Sequence, residues 1–414
     1  MPEWLFELYN PWTTPATLLL GAVGVGWLAG LRDRRLAALA AVVAAGLGLW
    51  QAWKIGPPSG LLDLQIYVGS ARGWLEGGSL YDYRDSVHHL GATYPPIGPI
   101  LFGLFVPMAA EAREVLWTAL SLGALAAATW FTAELAGVAR PRRTTWAMWA
   151  FALATVTMPV WLTLRQGQVN AVLWLLVVAD VALVGRSSRR AGIGIGLATA
   201  VKLVPGLFVV WLALAGRRAA AGRAVAAAAL ATLVGWLLAP SDSWRYWTDL
   251  IAASDRVGQV DDPRNNSLLA LVARTVEAGP ARTELWLVLA GVVLAIGLWR
   301  GVKAARVDDL LTATAVVGCT TGLVSPISWT HHLGFVVLAL AAFSAHRPRP
   351  WVVVALVAGW LTLVSPGGHG DEAAMSAVRV LLQLAVVCAL PIVPGRSAQG
   401  RQEQTSRVPL TASG

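Results

Sequence analysis

Charged residues are scarce in this sequence, because Asp, Glu, Lys and Arg make up only 13% of its 414 residues. A soluble domain carries about 25% charged residues, so the composition argues against a soluble fold. Hydrophobic residues account for 56% of the chain instead. They form repeated runs of roughly 17–25 residues, bounded by charge, Pro or Gly, which is the length that a membrane-crossing helix needs. The pattern predicts an all-α polytopic membrane protein with roughly 11–13 transmembrane helices.

Cysteine is also rare, and no long basic tract is present. The two cysteines, Cys319 and Cys388, lie inside apolar runs without disulfide or metal-ligand spacing, so we expect both to be small buried apolar residues. The net charge of +9 comes from short basic clusters between apolar runs. Such clusters indicate membrane topology, and no nucleic-acid partner is predicted.

The basic clusters predict the orientation of the chain, since loops rich in Lys and Arg stay in the cytoplasm. These clusters are residues 32–35, 140–143, 186–190, 217–223, 300–306 and 346–349, with the tail from Arg396. The intervening loops are then extracytoplasmic: residues 56–114, 164–168, 240–282, 328–332 and 365–373. We expect a plasma-membrane protein with its N-terminus outside and a large first extracytoplasmic loop.

One transmembrane domain is predicted over residues 1–395, followed by a disordered cytoplasmic tail at 396–414. The predicted spans are residues 14–31, 36–54, 115–137, 145–163, 169–185, 220–239, 283–300, 309–327, 332–346, 350–365 and 374–394. Residues 191–216 have basic flanks on both sides, so they should enter the membrane and return as two short helices that turn at residues 202–205. The short apolar segment 95–108 is predicted to be an interfacial or re-entrant helix.

Asp63 is the leading candidate for chemistry. It lies in the first extracytoplasmic loop among Leu61, Leu62 and Leu64, where an unpaired carboxylate is costly. Tyr67 follows at a spacing that shares a helix face. A partly desolvated carboxylate can have its pKa raised enough to act as a base. The alternative is an ordinary loop acid or helix cap.

Three further polar sets are predicted at the same face of the membrane. The first contains Arg165, Gln168 and Asn170, for which a simple turn between spans is the alternative. The second is Lys202, which could hold a phosphate or extend its amine to the interface. The third is the pair His331 and His332, which could contact a phosphate or sugar, or form a polar cap. Adjacent histidines do not share a helix face, so a metal site from this pair is not favoured.

This mixture of one acid, cations, amides and aromatic rings suits a lipid phosphate combined with a carbohydrate. An ion pathway is less consistent, because acids near the membrane midplane are absent apart from Asp180 near a cytoplasmic end. A transporter or flippase of a lipid-linked sugar would need polar positions on both sides or broken helices at the midplane. The polar residues are one-sided outside segment 191–216, which favours an enzyme.

An ordered set of motifs resembles the polyprenyl-phosphate-mannose-dependent α-mannosyltransferases of glycosyltransferase family 87. The motifs are Asp63-Leu64 with Tyr67, Gly77-Gly78-Ser79-Leu80-Tyr81, Tyr94-Pro95-Pro96, Gly167-Gln168-Val169-Asn170, Lys202-Leu203-Val204-Pro205, Asn266-Ser267-Leu268 and Ser325-Pro326-Ile327-Ser328-Trp329-Thr330-His331-His332. The resemblance implies a GT-C fold, in which the catalytic acid lies in the first extracytoplasmic loop. It also implies a β-mannosyl-phosphopolyprenol donor, an α-linked product with a 1,2 linkage, and a glycolipid or glycan acceptor.

The resemblance also implies roles for individual residues. Asp63 would deprotonate the acceptor hydroxyl, and Lys202 with His331 or His332 would stabilise the departing lipid phosphate. Substrate contacts are expected from Tyr67, Tyr94, Arg165, Gln168, Asn170, Lys202, Trp329, His331 and His332. Asp63 is followed by Leu64-Gln65 and not by a second acid, so neither a metal-bridged donor nor another cofactor is predicted. A polyprenyl-phosphate-arabinose donor and several envelope acceptors stay open.

Overall fold

The fold was analysed in a computed structural model, which describes residues 33–54, 60–253, 256–344, 358–364 and 372–394. These residues form helices and connecting loops, with no strand among them. The first helices are α1 (Arg34–Lys54), α2 (Leu62–Leu75), α3 (Ile97–Leu101), α4 (Ala110–Leu135), α5 (Arg140–Thr155), α6 (Met158–Gln166), α7 (Asn170–Gly185) and α8 (Ile193–Val201). The others are α9 (Gly206–Leu214), α10 (Arg218–Leu238), α11 (Pro240–Arg245), α12 (Leu268–Ala273), α13 (Pro280–Arg306), α14 (Leu310–Val324), α15 (Gly334–Ser344) and α16 (Glu372–Ala389).

The protein is an all-helical, multi-pass membrane protein, as predicted. Within the described ranges, the four helices α4, α10, α13 and α16 are long and apolar enough to cross a membrane. Helices α5 and α6 qualify together but are bent by 74°. The apolar helices α7, α14 and α15 are shorter. The predicted span 14–31 and the tail 396–414 lie outside the described residues, and residues 358–364 of the predicted span 350–365 are helical.

The bend between α5 and α6 corrects the prediction of one continuous span over residues 145–163. Proline occupies the first turn of α6 at position 159. Proline lacks the backbone N–H that would continue the hydrogen-bond ladder of α5, although it suits the first turn of a new helix. The uninterrupted apolar run therefore forms two helices, and α6 carries the chain toward Gln168.

Helix α14 forms the centre of the bundle and is buried from Leu310 to Leu323. It packs against α13, α15 and α16. The hydroxyls of Thr314, Thr320 and Thr321 donate to backbone carbonyls of the same helix, Thr314 to that of Leu310 at 2.7 Å. Small residues allow close approach: a Cβ at Gly318 would lie 2.1 Å from the Phe335 ring. Packing of this kind replaces hydrophobic driving force between helices in a membrane.

The predicted helical hairpin is confirmed. Helices α8 and α9 are nine residues long and are separated by residues 202–205. Gly192, just before α8, packs against the backbone of Ala220 near the start of α10. The hairpin between Gly192 and Ala220 therefore begins and ends on the same side of the helix bundle. Asp180 caps the entry to α8 by accepting from the backbone N–H groups of Gly192 at 2.8 Å and Ile195 at 3.0 Å.

Segment 95–108 also forms the expected short helix, as α3 and a 3₁₀ turn over Phe102–Phe105. The prediction for the cysteines is half right. Cys319 is buried in α14, but Cys388 is exposed. Cys388 lies at helical spacing from Val378 and Leu381, which are also exposed, so this face of α16 points away from the bundle.

Candidate active site

Helix α2 positions Asp63 and places Tyr67 one turn later on the same face. Its N-cap residue, Leu61, has no side chain that could accept the free N–H groups of the first turn. Glu114 of α4 supplies this function from outside the helix, since its carboxylate accepts from the Leu61 N–H and the Gln65 side chain. Glu114 is 1% exposed, so this brace lies in the interior. It fixes the start of α2 and thereby the position of Asp63.

A glycine turn brings a second segment against α2. Gly167 ends α6 in the left-handed region, at φ +70°. A Cβ on this residue would lie 2.8 Å from Leu64 Cβ and 2.9 Å from Leu61 Cβ. Only glycine permits both this backbone conformation and this close approach. The turn carries the next residue, Gln168, to the Asp63 carboxylate, to which it hydrogen-bonds.

The amide of Gln168 is oriented by two tyrosines. Its Oε1 accepts hydrogen bonds from Tyr94 Oη at 2.8 Å and from Tyr67 Oη at 3.1 Å. The amide nitrogen of Gln168 is therefore free to donate to Asp63. All three partners come from separate parts of the chain, and the two tyrosine rings lie 5.4 Å apart between centroids.

These surroundings shift the pKa of Asp63. Burial raises the pKa of Asp63 to about 6, and the hydrogen bond from Gln168 is the main effect that opposes this rise. The carboxyl is consequently ionised at neutral pH but holds a proton more readily than a solvent-exposed aspartate. This is the property that a general base needs.

Lys202 lies at the turn of the α8–α9 hairpin and is 8% exposed. Its Nζ is 3.0 Å from Tyr94 Oη, 3.2 Å from Asn170 Oδ1 and 3.0 Å from His332 Nε2. Asn170 is the first residue of α7, and its Nδ2 donates to the backbone carbonyl of His331 at 2.9 Å. The hairpin thus places the Lys202 amine at the centre of a polar cluster that four other segments form.

The two histidines have different positions. His332 closes a 3₁₀ turn over Thr330–His332, where its Nδ1 accepts the backbone N–H of Trp329 at 3.1 Å and its Nε2 points at Lys202. The His331 ring lies edge-on to His332, and its Nε2 is buried without a hydrogen-bond partner in the described part of the chain. His332 is therefore the histidine that joins the cluster.

Two predicted contact residues lie beside the cluster. The guanidinium of Arg165 lies over the Trp161 ring, 5.4 Å from its centroid. The indole of Trp329 packs against Gly258, and Arg264 lies 5.9 Å from its centroid. The structure does not bring either side chain against Asp63 or Lys202. At the end of the 261–267 loop, Ser267 caps α12 by accepting from the Ala270 N–H at 3.1 Å.

Sequence reasoning missed the residues that hold the Tyr94 loop in place. The Tyr81 hydroxyl donates to the backbone carbonyl of Tyr94 at 2.9 Å, and Arg256 lies over the Tyr81 ring while donating to the carbonyl of Ala92 at 2.7 Å. Asp242, 6% exposed, accepts from the Leu80 N–H at 3.1 Å. The tyrosine of the Gly77–Tyr81 motif was a usable signal for this contact. Glu114 carried none, since nothing in the sequence distinguishes it from any other acid near the start of a helix, such as Glu111.

A cavity beside Lys202 is lined by both polar and apolar residues. The polar ones include Asn170, Lys202, Ser328 and His332, and the apolar ones include Trp174 and Phe335. A mixed lining of this kind suits a group that joins a phosphate to a hydrocarbon chain. Among the described residues, no group of three or more His, Cys, Asp or Glu side chains could hold a metal ion.

Comparison with known proteins decides the family. Residues 92–326 match the description glycosyltransferase family 87. The chain belongs to this family. It is therefore a membrane glycosyltransferase, as the motif resemblance predicted.

Curated relatives of this family 87 enzyme cover most of its length. It is 33% identical over 306 residues to the polyprenol-phosphate-mannose-dependent alpha-(1-2)-phosphatidylinositol mannoside mannosyltransferase of Mycobacterium tuberculosis, which is 70% of this chain and 71% of the relative. It is 32% identical over 344 residues to the corresponding phosphatidylinositol pentamannoside mannosyltransferase of Mycolicibacterium smegmatis, covering 80% of this chain and 81% of the relative. No solved structure matches the chain.

Proposed function

We propose that this family 87 enzyme transfers mannose from polyprenyl-phosphate mannose to a glycolipid acceptor, with inversion and formation of an alpha-(1-2) linkage. The names of the relatives support the donor and the linkage. The observation that carries the proposal is the position of Asp63 in one hydrogen-bond network with Lys202, next to a cavity lined by polar and apolar residues.

Asp63 acts as the general base. As the acceptor oxygen attacks the anomeric carbon of mannose, its proton passes to the Asp63 carboxylate. The new carbon–oxygen bond forms while the bond from the anomeric carbon to the phosphate oxygen breaks. The electron pair leaves on the lipid phosphate. Attack from the face opposite the phosphate inverts a β-linked donor to an α-linked product.

The polar residues that line the cavity bind the phosphate. Lys202 and His332 present donors at one position, and Ser328 has a buried hydroxyl without a partner in the described residues. Donors preorganised in this way stabilise the charge that develops on the leaving phosphate. Trp174 and Phe335 then contact the first isoprenoid units. Tyr94 and Gln168 lie between base and phosphate, where the sugar has to bind.

The active site is proposed to face the extracytoplasmic side of the plasma membrane. Asn170 begins α7 at the site, whereas Arg186 directly follows the last residue of that helix. Arg186 and Arg143 share the carboxylate of Glu134 at that far end. The arginine-rich end is the cytoplasmic end by the positive-inside rule, which leaves the site outside.

The test is transfer in detergent by the purified protein, with polyprenyl-phosphate mannose or polyprenyl-phosphate arabinose as labelled donor and phosphatidylinositol mannosides as acceptors. We expect mannose transfer and a product that an α-1,2-specific mannosidase cleaves, in line with the relatives. Transfer of arabinose alone would refute the mannose assignment. Movement of the lipid-linked sugar across sealed vesicles without any transfer would refute the enzyme's proposed chemistry.

A further inference from the structure

The hydrogen-bond partners of Lys202 define how many protons its amine carries. Three polar atoms surround Nζ at hydrogen-bond distance: Tyr94 Oη, Asn170 Oδ1 and His332 Nε2. An ammonium group has three N–H donors and no acceptor, whereas a neutral amine has two donors and one lone pair. The charge state of Lys202 therefore depends on how many of these three atoms accept a hydrogen bond.

Two of the three atoms are acceptors. Asn170 is oriented by its Nδ2, which donates to the His331 carbonyl at 2.9 Å, so Oδ1 faces the amine. The Tyr94 hydroxyl gives its proton to Gln168 Oε1 at 2.8 Å, so its oxygen accepts from Lys202. Lys202 consequently donates two hydrogen bonds in these directions.

The third atom is a donor. His332 Nδ1 accepts the Trp329 backbone N–H at 3.1 Å, so this nitrogen carries no proton. A neutral imidazole then carries its proton on Nε2. That Nε2–H points at Lys202 Nζ, 3.0 Å away, and needs a lone pair there. Rotating the ring by half a turn would put a carbon atom against the Trp329 N–H, so the local backbone fixes this orientation.

Lys202 Nζ therefore donates two hydrogen bonds and accepts one, which is the pattern of a neutral amine. Building on the proposed function, we infer that Lys202 is uncharged in the donor-free enzyme and takes up one proton from solvent when the anionic donor binds. The ammonium then gives its third N–H to a phosphate oxygen. His332 Nε2–H is released from the amine and donates to the same phosphate.

The charges around Lys202 agree with this inference. The titratable groups that face it are Asp63 and Tyr67 from α2, Tyr94 from the loop before α3, and His331 and His332 from the 3₁₀ turn. Of these, Asp63 alone is an anion at neutral pH, and its carboxylate is bound by Gln168. An ammonium in this interior would be costly to desolvate, and the donor phosphate supplies the further negative charge that offsets this cost.

The experiment measures protons taken up on donor binding. Titration calorimetry of the full-length protein in detergent at pH 8, without acceptor, is run in buffers that differ in ionisation enthalpy. The ligand is polyprenyl-phosphate mannose, whose phosphodiester keeps one charge throughout. We expect an uptake that approaches one proton per donor bound in the wild type, retained in Asp63→Asn. In Lys202→Arg, whose guanidinium stays charged, uptake should fall to nearly zero.

Each outcome decides a separate question. Donor binding by the wild type without proton uptake would overturn the inference and leave the proposed function intact, and this result needs no variant. Unchanged uptake in a Lys202→Arg protein that still binds donor would also overturn it. Absence of donor binding by the wild type would overturn the proposed function, and the inference with it.

Discussion

Asp63 gains its chemical character from residues that are distant in sequence. Glu114 fixes the helix start beside it, and Gln168 binds its carboxylate. Burial favours the protonated acid, while the hydrogen bond from Gln168 favours the carboxylate. The balance puts the pKa of Asp63 at about 6, close enough to neutral pH for efficient proton transfer.

Activity should therefore depend on pH through Asp63. Below about pH 6 the carboxyl already holds a proton and cannot accept one from the acceptor, so kcat at saturating donor should rise as the pH increases through about 6 and then level off. The loss on the acidic side should be about tenfold per pH unit. Gln168→Leu removes a hydrogen bond that lowers the pKa of Asp63, so the rise should move to higher pH.

A neighbouring amide provides the control for this pH profile. Gln166, at the end of α6, has a side-chain oxygen without a hydrogen-bond partner among the described residues. Gln166→Leu should leave the midpoint of the profile unchanged. A profile whose midpoint is the same in Gln168→Leu as in the wild type would contradict the role of the Gln168 hydrogen bond.

At this scale the sequence was informative where polar residues interrupt apolar runs. Asp63 and Lys202 lie among apolar residues, where unpaired polar groups are costly, and Gln168 was predicted on the same face of the membrane as both. The choice between His331 and His332 was not predictable. It depends on the Trp329 N–H, which takes His332 Nδ1 in a turn whose geometry only the folded chain defines.

Among the elements, the turn at Gly167 connects α6 to the site. Its positive φ of +70° and its contact with Leu61 and Leu64 hold Gln168 next to α2. Gly167→Ala should destabilise the protein through two separate costs. The left-handed backbone costs roughly 1–2 kcal/mol for a residue with a side chain. Overpacking against α2 adds about 1–3 kcal/mol.

Gly137 offers a matched control for Gly167. It has the same φ of +70°, but a Cβ there would meet nothing within 4 Å. Thermal unfolding in detergent should show a larger decrease in Tm for Gly167→Ala than for Gly137→Ala, together with reduced transfer activity in the first variant only. Equal shifts in Tm would show that close packing at Gly167 contributes nothing.

Prediction of the elements succeeded where charge defined their ends. Basic flanks on both sides of residues 191–216 required a return, and the α8–α9 hairpin follows. The bend between α5 and α6 was missed because hydropathy is continuous across it. Proline 159 breaks the hydrogen-bond ladder without changing the apolar character of the run.

Across the described residues of the whole molecule, the end that holds the candidate site lies opposite an arginine-rich end. Helix α7 connects them, with Asn170 at its start and Arg186 just after its end. At the arginine-rich end, Glu134 forms ion pairs with Arg143 and Arg186. Hydropathy and the basic clusters were sufficient to predict this division, because membrane insertion itself depends on those two properties.

Labelling of introduced cysteines can test the orientation of the two ends. In a background with Cys319→Ser and Cys388→Ser, single changes Val87→Cys and Arg189→Cys place thiols on exposed positions at the catalytic and arginine-rich ends. A membrane-impermeant maleimide should label the first variant in intact cells, and the second only after permeabilisation. The reverse pattern would contradict an extracytoplasmic active site.

The most direct test of the account compares transfer of labelled mannose from polyprenyl-phosphate mannose by the wild type and by Asp63→Asn. Glu76→Gln, an exposed acid at the end of the same helix, serves as the matched control. We expect Asp63→Asn to fold and insert normally but to lose transfer by a factor of roughly 10²–10⁴, the usual contribution of a general base. Glu76→Gln should transfer mannose at the wild-type rate. Wild-type turnover by the Asp63→Asn protein would contradict the assignment of Asp63 as the base.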